Sequence, residues 1–515
     1  MKYIKHYIFI LGSILLFAAS CTKNFDEINT NPDKSTSTSA EGLAANMLTS
    51  ITSSDIGDTK GFMQTFMLSK YILWTEKQEG FEFNKIGRAG FGRLSVLRNV
   101  PVMMQYANKE EDGIRNAYAG LGHFIRAWQF FQLTMQLGDI PYSEAIKGET
   151  DGIIKPKYDL QKEVFQGILR ELDSANLMFA KGADFKGDFI FKGSVDKWQR
   201  LTNSFELHVL MQLSKKADDP DLKVGATFKQ IAETRPLMRD YKDNFAVTYQ
   251  NSGGYCYPWS NTPVQVNSFV IYPVVSANLI DPLKSMRDRR LFYYTEPAQS
   301  KIKAGSLPSE YNAYIGVEAA DPIAEVKSAH DDGAYCDVNK RYVELFNPEP
   351  VGLFNYWDLQ FVLAEGAVRG WLPAASANGY YEAGIKGSMD FLKDLTDIKY
   401  THGMPITDSY LTDYLNREAL SGNNDHKIEQ IITQKYLANF LQDVDYTAWF
   451  ENRRTGYPKF ILNPATNLNQ PNTKFPLRWL YPQDELDHNS ENVAAAIERQ
   501  YGGNDNVNNV MWLIK

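Results

Sequence analysis

From Ile114 to Met135 the chain carries an apolar stripe of helical period. Ile114, Tyr118, Leu121, Ile125, Trp128, Phe131 and Met135 recur at steps of three and four, which marks one long amphipathic helix. Gly138 stops it, and Asp139-Ile140-Pro141-Tyr142 reads as a turn. Trp128 lies on the stripe and is read as core, as are Trp198 and Trp449. Similar patterns fall near 42–53, 61–76, 94–107, 158–180, 195–216, 356–370, 376–396, 425–441 and 490–500. Many follow one another closely and suggest αα-hairpins. The fold class is therefore mainly α. No repeat of fixed period is visible, so a regular solenoid does not follow from the pattern.

Two stretches break the helical period. Residues 241–352 hold Gly253-Gly254, isolated prolines and many tyrosines, and read as loops with short strands. Residues 452–486 are rich in Pro and Asn. Long irregular segments in a compact protein are functional or disordered. These are too aromatic for simple disorder, so Tyr255, Tyr257, Trp259 and Phe269 are expected to pack or to bind something.

The first twenty residues read as an export signal. Lys2, Lys5 and His6 form a basic start, Tyr7 to Ala19 an apolar run, and Ala18, Ala19 and Ser20 precede Cys21. The apolar run is too short for a spanning helix. A Cys directly after small residues is what a bacterial lipoprotein signal requires: its thiol takes a diacylglycerol and its freed amine is acylated. Residues 1–20 are thus expected to be a lipoprotein signal peptide, and 21–40 a lipidated Cys and flexible tether rich in Ser, Thr and Asn. Asp26 and Glu27 place acid near the anchor, as in some surface-directed lipoproteins. Cys256 and Cys336 remain, and a disulfide between them is open. The formal charge of −8 disfavours a nucleic-acid binder, which needs a basic footprint.

Catalytic motifs are missing. There is no G-x-S-x-G, H-E-x-x-H, C-x-x-C or phosphate loop, and Gly90-Phe91-Gly92 begins a dinucleotide fingerprint that fails at Ser95. The seven histidines are scattered without metal-ligand spacing, so no metal and no cofactor are expected. A glycoside hydrolase needs only two carboxylates a few ångströms apart. Asp331-Asp332 and Asp484-Glu485 could supply them, although solvated acid or local capping is the ordinary role of such pairs.

Aromatic residues are the better clue. Sugar rings stack on aromatic rings, while their hydroxyls need amides and charged groups alongside. Two clusters combine the two: Tyr255, Tyr257, Trp259 and Asn261 in one loop, and Trp74, Phe81, Phe83 and Asn84 after a predicted helix. These eight are the candidate ligand-binding residues.

Several segments together resemble the SusD/RagB family of outer-membrane nutrient-binding lipoproteins, in its SusD-like second branch. The sequence from Cys21 to Pro32 looks like that branch's post-anchor segment, and FFQLTMQLGDIPYSEA (130–145) resembles its "fGdvPy" turn. Lys197-Trp198 with Asn203-Ser204, Asp281-Pro282, Arg287 to Arg290 and LAEGAVRGW (363–371) match in family order. QKYLANF (434–440) with AWFENRRTGYPKF (448–460) is the strongest match, and RWLYPQDELDHNSEN (478–492) closes the pattern.

The resemblance implies one SusD-like domain over 41–515, with tetratricopeptide-like helix pairs and an irregular ligand-facing part. Length alone would have suggested about three domains. It implies a non-enzymatic lid over a SusC-like TonB-dependent transporter, held to the outer membrane by lipid, that captures a glycan or peptide and hands it in. Arg453, Arg454, Tyr457 and Pro458 would be fold-making there, and no ligand residue transfers by motif. Peptide capture, an anchored glycoside hydrolase and a purely structural lid stand as alternatives to oligosaccharide delivery.

Overall fold

The computed structural model describes residues 38–57, 60–442 and 446–515. The expected signal peptide, lipidated Cys21 and most of the tether lie outside the described residues. In chain order the main elements are α1 (Ala40–Ile56), α2 (Gly61–Leu68), β1 (Ile72–Trp74), α3 (Asn99–Ala107), α4 (Asp112–Leu137), α5 (Gln161–Ala180), α6 (Val195–Gln212) and α7 (Val224–Thr234). There follow β2 (Phe245–Val247), β3 (Pro273–Val275), α8 (Ala277–Ser285), β4 (Val351–Phe354), α9 (Tyr356–Val368), α10 (Ala377–Leu395), α11 (Asp408–Arg417), α12 (Asn424–Ala438), α13 (Thr447–Thr455) and α14 (Ser490–Tyr501). The fold is mainly α. No described helix is long and apolar enough to cross a membrane.

The long stripe folds as expected. Helix α4 buries Trp128, whose ring lies 4.7 Å from Phe205 and 5.2 Å from Phe245. Its Nε1–H donates to Asp55 of α1 at 2.7 Å, so the core tryptophan leaves no polar atom unpaired. Antiparallel neighbours pack closely where glycine removes a side chain. A Cβ at Gly120 of α4 would stand 2.8 Å from Phe179 of α5, and one at Gly384 of α10 2.7 Å from Phe361 of α9. One apolar cluster then runs from Ala40 to Ile514.

A buried ionic knot ties four elements together. The Arg454 guanidinium on α13 donates to both oxygens of Glu365 on α9 at 2.6 and 2.7 Å, and through Nε to Glu451 at 2.9 Å. Lys435 of α12 adds a contact to Glu451 at 3.0 Å, and Ser214, just past α6, accepts from Arg454 at 3.1 Å. Burial alone would raise both carboxyls, yet the Arg454 charge and hydrogen bonds, joined by Arg369 at Glu365 and by Lys435 at Glu451, together outweigh it and hold them below the usual range. Next door Arg453 has no carboxylate partner among the described residues; it caps the carbonyls of Met135 and Leu477 and lies 4.5 Å from the Phe450 ring centroid. Both arginines therefore act in folding.

Three local expectations change. The helix read over 61–76 ends at Leu68, because Lys70 turns left-handed at φ 60° and Ile72–Trp74 pair antiparallel with Pro273–Val275. That partner lies about 200 residues away, so no local period announces it. Residues 241–352 hold short strands but also helices, Ala277–Ser285 and Ile323–Asp331 among them. Cys256 and Cys336 are separate buried free thiols, so the disulfide left open by the sequence is not formed.

Candidate functional site

Strand pairing builds the first candidate face. Trp74 stands opposite Pro273, and Thr75 N–H donates to the Tyr272 carbonyl at 3.0 Å. This register carries Tyr272 and Phe269, on the turn Ser268–Ile271, over the indole. Ring centroids are 4.9 Å apart for Trp74–Tyr272 and 6.1 Å for Trp74–Phe269. Trp74 is only 1% exposed, whereas Tyr272 and Phe269 are half-buried and Ile271 beside them is open. Lys60 Nζ sits 5.0 Å from the Trp74 ring centroid and pairs with Glu79 at 2.5 Å. Exposed Glu76, Lys77 and Gln78 follow directly on this strand. The result is two half-buried rings over a buried indole, rimmed by charge and amide.

The remaining members of that cluster serve as scaffold. Phe83 is buried, and Phe81 packs on Tyr446 with centroids 6.0 Å apart. Asn84 turns left-handed at φ 61°, which Asn tolerates, and donates to Asn467 at 3.2 Å. Between them Glu82 is buried. Its carboxylate accepts the backbone N–H of Trp74 and of Glu79, and its carbonyl accepts Lys70 Nζ. Burial pushes the Glu82 carboxyl up to about 8 and draws the Lys70 ammonium down to about 7. This knot fixes the segment that carries Trp74.

The second sequence cluster divides. Tyr257 and Trp259 are fully buried, their rings 5.6 and 5.5 Å from Phe62 of α2. Neither ring has an open face, so both are core where the sequence suggested stacking platforms. An apolar neighbour on a distant helix claims them. Tyr255, 67% exposed, and Asn261 stay at the surface. The Asn261 side-chain oxygen accepts the Asn267 N–H at 3.2 Å. Of the eight candidates, then, only Tyr255 and Asn261 are open, while Trp74 acts from behind. Tyr272 was not singled out; the tyrosine density of 241–352 was its only sequence signal.

The candidate acid pairs act locally. Asp331 ends the helix Ile323–Asp331, 3.7 Å from His330, and Asp332 caps it through its backbone N–H. Glu485 accepts from Tyr158 at 2.9 Å and Asn489 at 3.0 Å. Among the described residues no group of His, Cys, Asp and Glu is gathered to hold a metal ion.

A second feature is a two-lobed cleft between α8 and α12. Its lobes measure about 530 and about 310 Å³ and share Asp281, Pro282, Glu429 and Thr433. Two motif segments meet there, Asp281-Pro282 and Tyr457-Pro458.

Residues 32–482 match the family model SusD-like, described as starch-binding and associating with the outer membrane. The chain belongs to the SusD-like family. A SusD homologue from Bacteroides fragilis is 40% identical, with 93% of this chain and all of that chain covered and a TM-score of 0.88. A second Bacteroides fragilis homologue is 31% identical over the same shares, with a TM-score of 0.80. A chitin-binding SusD homologue from Flavobacterium johnsoniae shares the fold at 22% identity, covering 92% of this chain and 98% of its own, with a TM-score of 0.69. No curated protein matches the chain. The helix pairs of this SusD-like protein are thus those of the family, as the sequence implied.

Proposed function

We propose that this protein is a lipid-anchored outer-membrane binding protein that captures oligosaccharide and delivers it to a SusC-like TonB-dependent transporter. The observation that carries the reading is the ring pair Phe269 and Tyr272, half-open over the buried Trp74. Such rings offer a flat apolar surface to the C–H face of a pyranose. The adjoining exposed Glu76, Lys77 and Gln78 supply donors and acceptors for its hydroxyls. Tyr255 and Asn261 would extend the contact. The family's description and the chitin-binding relative support a carbohydrate over other nutrients. In this reading residues 41–515 form one binding unit on a tether acylated at Cys21, and several acyl chains give stable anchoring where one does not. Binding and release complete the task, and no bond in the ligand is broken.

The test is retardation of the full-length chain in gels containing starch, chitin or other polysaccharides, followed by recovery of the sugar. Retardation with intact sugar supports the proposal. Shortened sugar would indicate hydrolysis, and no retardation by any polysaccharide would turn attention to peptides.

A further inference from the structure

The cleft between α8 and α12 is walled by acid, only part of which meets a base. Asp281 and Glu418 have no hydrogen bond or ion pair to their carboxylates among the described residues. Glu429 differs, meeting Lys459 at 3.1 Å and His426 at 3.4 Å. The Arg417 charge acts on Glu418, but its guanidinium donates to the Met286 carbonyl at 2.9 Å and lies 5.4 Å from the Tyr414 ring centroid. In the second lobe Glu318 makes no ion pair among the described residues; it accepts the Ala320 N–H at 3.3 Å and the Ala319 N–H. An independent feature points the same way. Tyr381 is 2% exposed and lines the larger lobe, yet its hydroxyl has no hydrogen-bond partner among the described residues. A ligand entering the lobe can pair with this hydroxyl. The larger lobe, about 530 Å³, is of small-ligand size.

We propose that this cleft is a second binding site, for an ammonium-bearing ligand seated between Asp281, Glu418 and Tyr381. The ammonium supplies the absent counter-charge, and a neighbouring group of the ligand meets the Tyr381 hydroxyl. Burial raises Glu418 despite the opposing Arg417 charge, and it raises Glu318 as well. An amino sugar and a lysine-like side chain carry the same cation. The site is separate from the ring pair and does not depend on it.

The experiment is calorimetric titration of the full-length chain with chitosan tetraose, its N-acetylated counterpart and tetralysine. At least one amine ligand binds saturably, and more weakly as salt rises past about 0.1 M, where screening shortens to about 10 Å. Chitosan tetraose alone would identify an amino sugar, and tetralysine alone an amino-acid side chain. The double variant Asp281→Asn, Glu418→Gln, both at partly or fully exposed positions, lowers amine affinity by about tenfold or more. Any binding of the N-acetylated sugar at the ring pair is unchanged in it. Tyr381→Phe keeps the buried ring and lowers amine affinity by about three- to tenfold. Saturable binding by neither amine, or amine binding that the double variant leaves intact, overturns the proposal. Undiminished affinity in Tyr381→Phe overturns the part given to the hydroxyl.

Discussion

Replacing Arg454 by Met removes the cation at the centre of the buried knot while keeping most of its volume. Glu365 and Glu451 then lose four charge-assisted hydrogen bonds, three of them at 2.6 to 2.9 Å. Neither carboxylate is left wholly bare: Lys435 stays on Glu451 at 3.0 Å and Arg369 on Glu365 at 2.7 Å. Removing one partner of a buried pair costs about 3–5 kcal/mol, so the variant should lose about 4 kcal/mol. That is a large share of the ~5–15 kcal/mol that holds a typical domain together. The loss should also depend on pH. In the wild type both carboxyls are held below their usual value of 4.5, so their contribution is present above 4.5 and fades as pH falls through the lower folded value. In the variant burial is no longer opposed by Arg454, so the carboxyls rise and can take up protons near neutrality. The stability gap between the two proteins therefore narrows on going from pH 7 to pH 5. Urea unfolding followed by tryptophan fluorescence measures it. A gap below about 1 kcal/mol, the worth of a surface pair, or a gap equal at both pH values, would refute the reasoning.

Three other outcomes follow from the same structure. Trp259→Ala, which empties a fully buried site against Phe62, should lose about 3–5 kcal/mol of stability, while Tyr255→Ala at an exposed site should stay within about 0.5 kcal/mol by urea titration. His208 is held neutral by burial, aided by the charges of Lys435 and Arg454, which bring it down to about 3. Its folded value lies below the usual 6.5, so stability is lost as pH falls below 6.5, by about 1.4 kcal/mol per unit, and His208→Gln should lack that part of the acid slope. Cys256 and Cys336 should resist a thiol reagent until the chain unfolds, since both are buried and burial pushes the Cys336 thiol up to about 12. Rapid labelling of both in native buffer would contradict that packing.

The helical core was legible because its signal is local. The stripe from Ile114 to Met135 needs no distant partner to be read, and α4 spans Asp112–Leu137. The β1–β3 pair was not legible, since Ile72 meets Val275 only through tertiary folding, and a run of apolar residues after α2 continues a helical period by chance. The candidate site suffered from the same limit. Tyr257, Trp259 and Tyr255 alternate within five residues and look alike as aromatic loop residues; only Phe62, far off on α2, decides which rings turn inward. Tyr272 went unnoticed because its value lies in sitting over Trp74, a register that no spacing reveals. The motif arginines were read as structural, and the Arg454 knot supplies the reason.

Calorimetric titration of starch- and chitin-derived oligosaccharides into the full-length chain and its Phe269→Ala, Tyr272→Ala double variant tests the central claim most directly. The account predicts saturable binding by the wild type to one of these sugars. It predicts about tenfold or greater weakening in the variant, since each stacked ring contributes on the order of 0.5–1.5 kcal/mol, with the variant still folded at the titration temperature by circular dichroism. Equal affinity in both proteins would contradict it.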